Sequence, residues 1–197
     1  MSNISLNQVI TFTPATRSNR VPKIVLSGAS GAGKTLSALM LAAGLIDAPL
    51  QPEQQTAGKW SDILVVDTEN GSSELYYGQS FNYRDYTGAI RTVEIGQFGR
   101  YNFEPPYDWK RWVKIIEAAP KMGKCLILDT ATAEWSGQGG ILDYVGMLGG
   151  QIKDWKMGSA AHRSVLDAIL RSTIPIIATL REDQKHEIVV VADGKGG

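Results

Sequence analysis

The sequence predicts an α/β fold in which helices cover a mostly parallel central sheet. Short apolar runs recur at 23–27, 63–67, 92–95, 125–129 and 174–180, helical patterns separate them, and a glycine-rich turn joins the first run to the first helix. Continuous apolar runs suit parallel strands covered on both faces. Strands that alternate with helices return to one sheet through right-handed crossovers.

Residues 1–22 are polar, carry Val9-Ile10-Thr11-Phe12 with Pro14 and Pro22, and read as an N-terminal arm before a single domain over 23–197. The alternative for the arm is an oligomer contact. The first helix runs over 34–46, with Leu36, Leu39, Met40 and Ala43 on one face. A loop over 47–60 holds Pro49, Pro52 and Gly58. The strand over 63–67 ends in Asp67-Thr68-Glu69, at the sheet end where α/β proteins put their ligands. In 70–91, Tyr76, Tyr77, Phe81, Tyr83 and Tyr86 mingle with Arg84 and Arg91. Such a cluster either stacks bases or is ordinary packing and surface. Residues 92–95 read as a further short strand and 96–106 as a loop. Asp108 caps a helix whose Trp109, Trp112, Val113 and Ile116 face inward, and Pro120 ends it. A glycine-rich stretch over 130–158, with a short helix near 141–145, precedes a helix over 159–172. After the strand at 174–180 come a charged loop and a last strand over 188–192. Asp193-Gly194 is a hairpin turn signal with no returning strand behind it, so the expectation is a C-terminal β-hairpin in shortened form.

Composition sets the outer bounds. The 197 residues suit one α/β domain, and 43% apolar residues suffice for a continuous core. Lys plus Arg and Asp plus Glu both number 20, giving zero net charge. A nucleic-acid contact would therefore have to come from a local patch. The one cysteine, Cys125, reads as core filler, with a reactive thiol as the alternative. No apolar run approaches a membrane span and no signal peptide opens the chain, so a cytoplasmic protein with no membrane partner is expected.

Gly28-Ala29-Ser30-Gly31-Ala32-Gly33-Lys34-Thr35 fills every fixed position of the P-loop pattern G-x-x-x-x-G-K-[ST], between a strand and a helix. Amides of the glycine-rich turn cup an anion, and the helix adds the positive end of its dipole. Lys34 supplies a full charge for the outer phosphates, and the Thr35 hydroxyl is suited to Mg²⁺. The nucleotide-binding set is Gly28, Ala29, Ser30, Gly31, Ala32, Gly33, Lys34, Thr35 and Leu36, with ATP and Mg²⁺ as the expected ligands. Cys125-Leu126-Ile127-Leu128-Asp129 has the form of a Walker B segment, which makes Asp129 the second metal residue beside Thr35. Its alternative is an aspartate that caps the next turn. Hydrolysis needs a group that orients and deprotonates water. Glu69 is the candidate base and Lys34 its catalytic companion; a solvated loop glutamate is the other reading of Glu69.

Together these pieces resemble the RecA-like P-loop NTPases, and more narrowly the phage and prophage AAA-type ATP-binding proteins of that fold. The matching segments are Ala15-Thr16-Arg17, the P-loop, Val66 to Ser72, Leu128-Asp129-Thr130, Trp135-Ser136-Gly137-Gln138-Gly139-Gly140, Trp155 with His162, and Ile177 to Arg181. They span nearly the whole chain; the P-loop is generic, whereas the Trp-Ser-Gly-x-Gly-Gly segment is more particular. The resemblance implies a three-layer core, Glu69 as the water-activating glutamate, a role in phage recombination or replication, and homo-oligomers that share a basic residue across subunits. Arg163, Arg171, Arg181 and Lys185 are candidates for that residue. It also implies contacts to single-stranded DNA through 131–158, with Lys153, Trp155 and Lys156, and through 181–187, with Arg181, Lys185 and His186. Where relatives carry Arg-Ser-Lys-Thr after the last core strand, this chain has Arg181-Glu182-Asp183-Gln184. The alternatives to a DNA-stimulated ATPase are a nucleotide-gated binding module with little turnover and a P-loop small-molecule kinase. The glycine-rich 137–158 stretch has no arginine for a kinase lid.

Overall fold

The order of elements is β1 (Lys23–Gly28), α1 (Lys34–Leu45), β2 (Ile63–Asp67), β3 (Ser80–Arg84), β4 (Ile90–Glu94), β5 (Gly99–Asn102), α2 (Trp109–Ala118), β6 (Cys125–Asp129), α3 (Thr132–Ser136), α4 (Ile141–Met147), α5 (Trp155–Arg171) and β7 (Ile176–Arg181). They come from a computed structural model that describes residues 20–50 and 58–182. The expected N-terminal arm up to residue 19, the strand over 188–192 and the C-terminal hairpin lie outside the described residues.

One sheet has the order β1-β7-β6-β2-β5, and every pairing in it is parallel. Side chains alternate between its faces. Ile63, Val65, Cys125, Ile127 and Ile177 pack under Ala38, Leu39, Ala42 and Ala43 of α1. Val66, Leu126, Leu128, Ile176 and Ala178 pack under Trp112 and Ile116 of α2 and Val165 and Ala168 of α5. Helix–sheet–helix layering follows directly, because strands buried on both faces need a cover on each. Each fully buried Ile or Leu contributes about 1.5–3 kcal/mol. Central β6 is buried at every residue, which is why its sequence is an unbroken apolar run.

Two expectations are corrected. Residues 92–95 do not join the parallel sheet: β4 pairs antiparallel with β3 in a separate two-stranded ribbon. Of β4, Val93 is buried while Ile90, Arg91 and Thr92 face out, the pattern of a half-covered ribbon rather than a central strand. Asp85 fixes its turn by accepting from the Thr87 and Ala89 amides, and the Thr87 hydroxyl and Arg91 hold its carboxyl down at about 2. The sheet's remaining position goes to β5, inside the 96–106 stretch read as a loop. An edge strand needs no apolar run, and three of its four residues are exposed.

The glycine-rich 130–158 stretch is also more helical than its composition implies. It contains α3, α4 and the first turn of α5, which begins at Trp155 and not at 159. Gly158 permits this: a Cβ there would stand 2.4 Å from Val145 Cγ2, so the glycine lets α4 lie against α5. Asp108 caps α2 as expected, its side chain accepting from the Lys110 amide at 2.9 Å.

Candidate functional site

β1 ends at Gly28, and six residues later α1 begins at Lys34. Gly31 and Gly33 both have φ +78, a backbone conformation that side chains disfavour and that the tight turn requires. Gly33 is the N-cap of α1 and offers no side-chain cap. The first-turn amides, which no α-helix satisfies internally, therefore face the loop's hollow. Lys34 Nζ donates to the carbonyls of Gly28 at 3.0 Å and Ala29 at 2.8 Å, so its ammonium lies across the mouth of the loop.

The neighbouring strand tips bring in hydroxyls and carboxylates. Asp129 is 2% exposed. Its Oδ2 accepts from Thr35 Oγ1 at 2.7 Å and its Oδ1 from Thr179 Oγ1 at 2.5 Å. Thr130 continues the network: its hydroxyl donates to the Thr179 carbonyl at 2.7 Å, and its amide to Thr68 Oγ1 at 3.0 Å. A carboxylate and a hydroxyl held 2.7 Å apart beside a phosphate loop are the hard oxygen donors that Mg²⁺ takes together with phosphates and water.

Asp67 has a role the sequence reading missed. It is fully buried and accepts from the amides of Glu69, Gly71 and Ser73 and from the Ser73 hydroxyl. These bonds coil the chain after β2 into a tight turn, with Asn70 at φ 54 and Gly71 at φ 84, and the turn sets the direction of Glu69. The missed signal is an aspartate followed by Asn-Gly and Ser-Ser, the composition of a side-chain-capped turn.

Glu69 itself is not free. Its Oε1 accepts from Arg181 Nη2 at 2.5 Å, and the two side chains are 30% and 45% exposed. They line a cavity of about 500 Å³ with Thr68, Thr130 and Thr132. Arg181, one of the residues considered for a shared cross-subunit role, is thus engaged within its own chain.

The remaining candidates separate. Glu134 is buried and pairs with His162 Nδ1 at 2.9 Å, with the Trp135 ring edge-on to the imidazole at 5.3 Å. Burial pushes the Glu134 carboxyl up, partly offset by His162. This pair lies in an apolar groove of about 740 Å³ whose walls include Val25, Leu166 and Leu170. Trp155 is 40% exposed with its ring 6.2 Å from that of Trp135, and Lys153 and Lys156 are exposed beside it. The aromatic–basic cluster at 76–91 divides into packing and surface: Tyr76, Phe81 and Tyr83 pack on the core, while Arg91 pairs with Asp85 at 2.9 Å. Cys125 is buried and its thiol is pushed up to about 12 by desolvation, in keeping with core filler. Lys185 and His186 lie outside the described residues.

A family model described as an AAA domain matches residues 20–189. The chain belongs to that family. No curated protein matches it. Membership makes this AAA domain a P-loop, nucleotide-binding protein of ATPase type, and the all-parallel sheet between helix layers agrees with a RecA-like core. Among the described residues no helix is long and apolar enough to cross a membrane.

Proposed function

We propose that this AAA domain is a Mg²⁺-dependent ATPase that acts on single-stranded DNA in phage recombination or replication and works as a homo-oligomer. The observation that carries the ATPase reading is the 2.7 Å bond from Thr35 to Asp129, which joins the phosphate loop to the tip of β6 with Glu69 on the adjoining strand tip. Loop amides from Gly28 to Leu36 and the Lys34 ammonium hold the β- and γ-phosphates. Thr35 and Asp129 would hold Mg²⁺, which when bound neutralises charge building up on the transferred phosphoryl group. Glu69 takes a proton from water as the water oxygen bonds to the γ-phosphorus. The bond from that phosphorus to the β–γ bridging oxygen breaks, leaving ADP and inorganic phosphate. Glu69 performs this step once its Oε1 is released from Arg181.

Support for the DNA partner is the exposed Trp155 beside Lys153 and Lys156, a stacking surface with cations next to it. The experiment is the ATPase rate with and without oligo(dT), for the wild type and Glu69→Gln. Stimulation by DNA is expected, and Glu69→Gln should lower turnover by about 10²–10⁴-fold while nucleotide still binds. Unchanged turnover in the variant removes Glu69 from the mechanism.

One observation favours a second reading, a nucleotide-gated binding module with little turnover: the candidate base is occupied by Arg181. A rate that stays negligible with DNA present would select it.

A further inference from the structure

Arg181 ends β7 and is in register with Gly28, the residue that opens the phosphate loop. Glu69 lies just past the tip of β2, on the far side of β6. Neighbouring strands are about 4.8 Å apart, so the two backbones stand roughly 9.6 Å apart. To reach Glu69 the Arg181 side chain has to pass over the tip of β6, where Asp129 receives Thr35. The Arg181 amide is tied to Thr132 Oγ1 at 2.8 Å, so its backbone is anchored while the long side chain is half exposed and able to swing.

We propose that Arg181 is a two-position cation: it holds Glu69 when the nucleotide site lacks a γ-phosphate, and moves to the γ-phosphate when ATP is bound. The inference rests on the ATPase reading above and names the regulation of that same site. A γ-phosphate gripped by Lys34 and Thr35 enters the space beneath the guanidinium. It carries more charge than one carboxylate and accepts the same forked donors. A solvent-accessible ion pair is held weakly in water, so the exchange is easy. When it happens, Oε1 of Glu69 loses its donor and is open to water. ADP, which has no γ-phosphate, leaves the clamp closed. Arg181 is therefore a positioning residue that makes the base available only when there is a phosphoryl group to transfer.

The test is calorimetric titration with Mg-ADP and with Mg-AMP-PNP for the wild type, Glu69→Gln, Arg181→Met and the double variant. ADP affinity should agree within about twofold in all four, which also reports that each is folded. AMP-PNP should bind Glu69→Gln about tenfold more tightly than wild type, because no ion pair has to break, and Arg181→Met about tenfold more weakly. In the Arg181→Met background the Glu69→Gln gain should vanish, and Arg181→Lys should recover part of the lost affinity. A Glu69→Gln gain that persists without Arg181 overturns the exchange, since charge repulsion alone then explains it. Equal AMP-PNP affinity in all four also overturns it and leaves the ATPase reading standing. Failure of the wild type to bind either nucleotide removes both.

Discussion

The phosphate end of the sheet and the apolar groove behind it meet at Thr132 and Arg181, which line cavities on both sides. They are built in opposite ways. At the phosphate end polar groups are buried, and strand tips position them. Asp67 and Asp129 are register partners, and Asp129 accepts from Thr35, which closes the P-loop, and from Thr179 within β7. In the groove apolar groups are exposed, as at Val25 with 61% and Leu170 with 69%, while a carboxylate, Glu134, is buried. There β1, β6 and β7 supply only the apolar floor, and the polar pair, Glu134 with His162, is held by α3 and α5. A ladder fixes its tips within a fraction of a strand spacing; packed helices hold a site only as well as their contacts do.

That contrast can be tested, most forcefully at the groove's floor. Trp112 is fully buried and forms part of the floor. Trp112→Ala should cost about 3–5 kcal/mol of unfolding free energy in a urea titration. Leu170→Ala, on the rim, should stay within about 0.5 kcal/mol. A loss at Leu170 comparable to that at Trp112 would show that the rim is covered in the folded protein, and the contrast with the phosphate end would weaken.

At the phosphate end the expected effect falls on binding. Lys34→Ala removes the ammonium held at the loop mouth and should weaken Mg-ATP binding by about 3 kcal/mol, roughly a hundredfold in Kd. Its melting temperature should barely change, since what is lost in the free protein is a pair of partly exposed bonds to carbonyls. Wild-type affinity in this variant would rule out the loop as the nucleotide site.

The smallest effect is a pH dependence in the groove. Burial raises the Glu134 carboxyl above the ordinary glutamate range. An acid raised in the fold holds its proton more tightly there than in the unfolded chain. Its stabilising contribution is complete below the unfolded value and is lost as pH climbs through the raised one. Glu134→Gln deletes that titration. As pH rises above about 4, the ordinary glutamate value, the stability of the wild type should therefore fall relative to the variant. A difference that stays flat, or tilts the other way, would show that His162 keeps the carboxylate charged in the fold.

Much of the phosphate end was legible in the chain because its signals are local. The Gly28-to-Thr35 pattern carries its own turn chemistry, and the unbroken run from Cys125 to Leu128 announces a central strand with a carboxylate at its tip. Misreadings arose where burial is one-sided. Val93 sits in a ribbon whose neighbours face water, and Gly99 to Asn102 form an edge strand with no apolar run to mark them. Gly158, the last residue of the glycine-rich stretch ahead of the helix expected from 159, is a packing contact inside α5.

By itself, then, the order of residues determined which strands are central, where the phosphate loop turns and which carboxylates end the strands, since each depends on neighbours a few positions away. Tertiary structure decided which carboxylate meets which partner. Arg181 and Glu69 are separated by 112 residues. Nothing local pairs them; they meet because β6 inserts between β2 and β7 and puts both tips at one end of the sheet.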